Sequence, residues 1–156
     1  MPLTTPLPTG FSEQIHELLP EEAPALLRAL DEEPSVSIRL NARKTREIEL
    51  SLPLGEAVPW AGPLGYYLDQ RPSFTADPLW HAGCYYVQEA SSMLLSLVKP
   101  LLGKSPLTAL DLCAAPGGKS TLLLDLLPEG SVLVSNELIR SRAQILAENI
   151  QKWGAT

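Results

Sequence analysis

The decapeptide Asp111-Leu112-Cys113-Ala114-Ala115-Pro116-Gly117-Gly118-Lys119-Ser120 joins an apolar run to a helical pattern through a tight loop carrying two adjacent glycines. Ahead of it, Leu107-Thr108-Ala109-Leu110 reads as a short buried strand that runs on toward Cys113. After it, Leu122, Leu123, Leu126 and Leu127 recur at helical spacing. A strand, a glycine loop and a helix in that order belong to a parallel α/β sheet, which binds ligands outside the carboxyl ends of its strands. Pro116 stiffens the turn, while Gly117 and Gly118 permit positive φ and let a ligand approach the backbone with no Cβ in the way.

Two familiar glycine patterns fail here. A P-loop requires a glycine five positions before its Gly-Lys-Ser, and that position is Cys113. The G-x-G-x-x-G dinucleotide fingerprint is absent too, because the glycines are adjacent and no third one follows in the helix. Phosphate recognition is therefore disfavoured, and an adenosine-bearing cofactor held without a phosphate clamp remains. Such a site needs an acidic side chain at the end of the next strand to bind the ribose hydroxyls. Residues 131–136 read as that strand, and Glu137 follows Gly118 at close to the spacing of about 20 residues known for the ribose carboxylate.

The decapeptide resembles motif I of the Nol/Nop/Sun family of RNA cytosine-5 methyltransferases. Three further stretches are similar to that family in the same order. Ser37-Ile38-Arg39-Leu40-Asn41 with Lys44-Thr45 resembles a strand of its N-terminal RNA-contacting domain, and Tyr85-Tyr86-Val87-Gln88-Glu89-Ala90-Ser91-Ser92-Met93 resembles the segment entering the methyltransferase domain. Ser135-Asn136-Glu137 with Arg142, Asn149 and Gly154 resembles the acidic strand and following helix. The resemblance implies S-adenosyl-L-methionine as cofactor, with Cys113, Ala114, Ala115, Pro116, Gly117, Gly118 and Lys119 around it and Glu137 on its ribose. It implies RNA, ribosomal or transfer, as partner; a cytoplasmic protein is expected from the absence of a signal peptide or long apolar span in these residues. The expected architecture is α/β: an incomplete Rossmann-like methyltransferase sheet (residues 80–156) preceded by a small α+β N-terminal domain (residues 1–79).

With 156 residues the chain is too short for a complete doubly wound sheet, and it reads as the N-terminal portion of such an enzyme. In that family a Thr-Cys motif supplies the nucleophile and an Asp-x-Pro-Cys motif helps release the product; neither occurs here, so no catalytic residue is assigned. Cys84 and Cys113 have no disulfide or metal-ligand spacing and are read as small buried apolar side chains. No metal site is expected, nor any signal peptide or membrane span. Residues 107–112 are expected to lie centrally in the complete sheet, with residues 131–135 on one side. The other edge lacks a partner within these residues, so the isolated chain is expected to be marginally stable, self-associating or partly molten rather than a compact monomer.

Elsewhere, Phe11, Ile15, Leu18, Leu19, Leu26, Leu27 and Leu30 give two short helices separated near Pro20. Alternation of Val36, Ile38 and Leu40 with Ser37, Arg39 and Asn41 gives a half-buried strand with Arg39 facing outward. Pro53, Pro59, Pro63, Pro72 and Pro78, with Gly55, Gly62 and Gly65, restrict the next stretch to short strands and turns. Residues 88–98 read as an amphipathic helix ended by Pro100. A net charge of −6 argues against a polyanionic partner. Its distribution is uneven, however, and Arg39, Arg43, Lys44 and Arg46 cluster as candidate RNA contacts against a plainer reading as a solvated strand and turn. The competing functional class is a module without chemistry, keeping an adenosine site or only a structural α/β half-domain.

Overall fold

A computed structural model describes residues 7–46 and 51–154. They fall into two compact units that divide between Ser35 and Val36. The first is a helical pair, α1 (Phe11–Leu18) and α2 (Ala23–Asp31). Gly10 opens α1 at φ 81°, and Pro24 occupies the first turn of α2, where a missing N–H costs no hydrogen bond. Ala23 is fully buried and its amide bonds the Leu19 carbonyl, closing the turn that the break near Pro20 anticipates.

The second unit carries two sheets. Strands β1 (Val36–Leu40), β2 (Leu54–Ala57), β3 (Gly65–Leu68) and β4 (Tyr85–Val87) form an antiparallel sheet in the order β2-β3-β1-β4. Short helical turns at Gly62–Leu64 and Phe74–Ala76 and the helix α3 (Pro78–His81) link β2, β3 and β4, as the proline and glycine pattern requires. One face buries Ile38, Leu68, Cys84 and Tyr85, with Phe74, Leu79 and Trp80 packed against them. A neighbouring cluster joins Val58, Ala61 and Met93.

The second sheet pairs β5 (Thr108–Asp111) with β6 (Val132–Ser135) in parallel, Asp111 opposite Ser135. Helix α4 (Gly118–Leu126) connects them and α5 (Arg140–Trp153) follows. This strand, loop, helix, strand, helix order is that of a partial Rossmann-like sheet.

Four expectations are corrected. Strand β1 is buried on both faces: Ile38 is 0% exposed and Arg39 only 1%, so Arg39 does not face outward. The cause is tertiary, because α4 and Trp153 cover the polar side of the strand. Strand β5 is not buried throughout. Leu110, Val132 and Val134 are at least half exposed, because nothing among the described residues packs on that face. Cys84 is buried as expected, but Cys113 is exposed, since the chain has already turned out of β5 at Asp111. Finally, the amphipathic segment is a run of 3-10 turns, Ala90–Leu101, that continues through Pro100. Such turns close every three residues, so a proline near the end has no long hydrogen-bond ladder to interrupt.

Candidate cofactor site and the residues around it

The loop after β5 is held from four directions. The Ala114 amide donates to the Asn136 carbonyl at 2.9 Å, and the Asn136 amide donates to Asp111 at 2.8 Å, which ties the loop to the end of β6. From α5, Arg142 donates to the Ala115 carbonyl (2.9 Å) and Asn149 to the Pro116 carbonyl (2.8 Å). From the antiparallel sheet, Gln88 donates to the Gly118 carbonyl at 3.2 Å. Beneath it, Ser120 donates to buried Asp111 at 2.8 Å and lies 2.9 Å from the Ser135 hydroxyl, so the two parallel strands and α4 share one polar node. Each partner restricts the loop backbone before any ligand arrives, the arrangement that lowers the ordering cost of binding.

The glycines do separate jobs. Gly117 sits at φ 115°, where a side chain is strained, and a Cβ there would come within 3.3 Å of Leu146. Gly118 opens α4, and a Cβ on it would project toward Tyr86 and Gln88 at 3.4 and 3.5 Å. Those two residues, with Glu89, Ser92, Ala114, Ala115, Pro116 and Lys119, line a cavity of about 260 Å³. A side chain at Gly118 would occupy part of it. The absent Cβ, the start of a helix and a rigid loop at a strand terminus together fit an adenosine-bearing ligand.

Of the eight cofactor residues expected from sequence, Ala114, Ala115, Pro116, Gly118 and Lys119 line this cavity; Cys113, Gly117 and Glu137 do not. Glu137 lies just past β6. One carboxylate oxygen accepts the Ile139 amide at 3.0 Å and the other is 3.7 Å from Arg142. The carboxylate thus also serves the start of α5, where acidic groups are favoured.

The four candidate RNA contacts separate further. Arg39 is withdrawn from solvent: its guanidinium donates to Gln88 Oε1 (2.9 Å), Thr121 Oγ1 (2.7 Å) and Asp125, and stacks 4.4 Å from the Trp153 ring centroid. Burial lowers its pKa to about 10 against the opposing pull of Asp125, so it remains charged at neutral pH. All its donors face the interior, and an RNA contact from this side chain is corrected to an interior role. Lys44 spends its ammonium on the carbonyls of Ala82 (2.8 Å) and Lys152 (2.6 Å). Arg43 is half exposed and 3.3 Å from Asp125, and Arg46 is exposed. In the sequence Gln88, Arg142 and Asn149 stand only as parts of longer segments. Their role in fixing the loop became visible once their carbonyl partners were in place.

A motif-bearing loop at the end of a parallel strand, held by α5 and by an antiparallel sheet, defines a Rossmann-like methyltransferase fold. Residues 7–90 match the family described as the N-terminal domain of 16S rRNA methyltransferase RsmF, and residues 101–156 match that of 16S rRNA methyltransferase RsmB/F. The chain belongs to the RsmF N-terminal-domain family. Ribosomal RNA small subunit methyltransferase F of Escherichia coli O1:K1 / APEC is 31% identical over 97% of this chain, and that of Vibrio campbellii 32% over 95%. The chain spans about a third of the length of each, 34% and 33%. A methyltransferase homolog protein from Pyrococcus horikoshii superposes with a TM-score of 0.76 at 26% identity, over 96% of this chain and 50% of that one.

Proposed function

We propose that this chain is the cofactor-holding portion of an RNA methyltransferase that forms 5-methylcytosine in ribosomal RNA. The observation carrying the reading is the rigid Cys113–Lys119 loop, with Gly118 leaving space beside Tyr86 and Gln88 and an acidic residue just past the adjacent parallel strand. In it, residues 113–119 surround S-adenosyl-L-methionine and Glu137 binds the ribose. Bound there, the cofactor supplies an electrophilic methyl group. Residues 80–156 form the first half of the methyltransferase domain and residues 1–79 contribute RNA contacts through the exposed Arg43 and Arg46, with Lys44 held back on the Ala82 and Lys152 carbonyls.

Glu137→Ala is expected to weaken S-adenosylhomocysteine binding by about 1.5–3 kcal/mol, the worth of hydrogen bonds to a charged group. Glu137→Gln keeps an acceptor for the Ile139 amide and separates loss of the ribose contact from loss of the helix start. Titration calorimetry on the two variants decides, and unchanged affinity in both removes Glu137 from the site.

The 156 residues contain neither Thr-Cys nor Pro-Cys. Cytosine C5 becomes nucleophilic only after thiolate addition at C6, so the chain by itself is expected to transfer no methyl group. Incubation with RNA and methyl-labelled cofactor checks this. Label at cytosine C5 that disappears on Cys84→Ala or Cys113→Ala would overturn it.

A further inference from the structure

Beside the cofactor loop lies a second cavity, of about 360 Å³, which shares Tyr86, Val87 and Pro116 with the first. Its walls are aromatic: Tyr85 and Trp153, 1% and 2% exposed, form its floor, and the partly exposed rings of Phe74, Trp80 and Tyr86 face the opening. Two cations belong to the same lining. The Arg71 guanidinium lies 5.6 Å from the Phe74 ring centroid, and the Lys152 ammonium lies 3.8 Å from that of Trp80. Among the described residues neither is ion-paired. Lys44 adds a third positive charge, its ammonium bonded to the Lys152 carbonyl. Burial depresses the Lys152 pKa and Lys44 adds to this, with only Glu148 acting in the opposite sense. In a chain of net charge −6, the recess lining holds two cations and no carboxylate, with Asp77 bonded to the Tyr85 hydroxyl and Glu148 acting on Lys152 from outside it.

Flat rings beside unpaired cations match one chemistry, a base with its phosphate. Bases stack on aromatic faces with little dependence on sequence, and cations at the rim hold the backbone. A duplex base has no free face to offer, so the ligand is unpaired. Strand β4, which supplies Tyr85, Tyr86 and Val87, is an edge strand of its sheet and runs along both cavities.

We propose that the recess between Arg71, Phe74, Trp80 and Lys152 holds one unpaired RNA nucleotide next to the cofactor pocket, its base on the aromatic wall and its phosphate at Arg71 and Lys152. The inference rests on the RNA reading above and adds a binding subsite to it. The subsite selects single-stranded over duplex RNA and fixes the approach of the strand relative to the loop at Gly118.

The test is fluorescence anisotropy with a labelled single-stranded oligocytidylate, its duplex, and polyglutamate as competitor. Arg71→Gln alters only an exposed side chain, and Lys152→Gln changes the other rim cation from a different element. Each is expected to weaken single-strand binding about tenfold, as for loss of a charge-assisted contact. Lys104→Gln, an exposed cation outside the recess, is the control for general charge. If the unsubstituted chain binds no oligocytidylate, the RNA reading falls and takes the subsite with it. If it binds but the two rim variants lose no more than the control, the subsite alone is wrong. Equal binding of the duplex, or equally effective competition by polyglutamate, would also overturn it by showing that no base is recognised.

Discussion

Arg39→Ala is expected to lower the unfolding free energy by about 3–5 kcal/mol, the usual result of removing one partner from a buried ion pair. Arg39 is the residue on which the polar side of β1 closes. Without it, Gln88 Oε1, Thr121 Oγ1 and Asp125 lose a donor together, and the Trp153 ring loses the cation on its face. Asp125, 19% exposed in the intact protein, keeps only the Trp153 indole N–H at 3.1 Å and Arg43 at 3.3 Å to share its charge. Lysine should not rescue, since a single ammonium cannot reach three acceptors arranged for a planar fork. Urea unfolding measures the loss. The double variant Arg39→Ala, Asp125→Ala should cost less than the two single changes added, because the second removes the charge that the first orphans. Strict additivity, or a loss below about 1 kcal/mol for Arg39→Ala, would mean that the network contributes little beyond shape.

Gly83→Ala should be nearly as damaging, by about 2–5 kcal/mol, through an unrelated cause. Gly83 has φ 69°, where an L-residue costs about 1–2 kcal/mol. The added Cβ would stand 2.1 Å from the Lys152 carbonyl oxygen and 2.8 Å from its carbon, so backbone must move, at a further cost of about 1–3 kcal/mol. The contact is a close approach between the turn before β4 and the end of α5. Asn41 laces the same two segments by donating to the Gly83 carbonyl (3.1 Å) and the Trp153 carbonyl (2.9 Å). Pushing them apart withdraws Trp153 from Arg39. The variant should therefore show both a lowered unfolding midpoint and a changed near-ultraviolet tryptophan signal, and a midpoint equal to that of the unsubstituted chain would contradict the geometry.

Local pattern made the strand, loop and helix around Gly117 legible, because two adjacent glycines and the leucine spacing are features of neighbouring residues. The same holds for β1, whose alternation is unmistakable. Alternation reports which residues share a face, but not whether something covers the other face. Arg39 occupies a polar slot and reads as solvent-facing, yet the groups that bury it lie 82 and 86 positions away. Cys113 was misplaced for a smaller reason, a strand end set two residues too late. The aromatic recess left no trace in the sequence reading. Tyr85, Tyr86 and Asn149 fall in stretches similar to the family, but Arg71, Phe74, Trp80, Lys152 and Trp153 carry no motif, and only the fold brings the two sets together.

The Arg39 contacts also bear on the order in which the chain can acquire its structure. Synthesis delivers β1 early, but the hydroxyl, carboxylate and indole ring that enclose its arginine arrive only with residues 121, 125 and 153. Until then a guanidinium on an inner strand of the antiparallel sheet faces water, and the β1-β3 and β1-β4 pairings form with one side open. Closing that side requires a long loop to be ordered first, an entropic step that slows non-local contacts. The N-terminal sheet is therefore completed by α4 and α5.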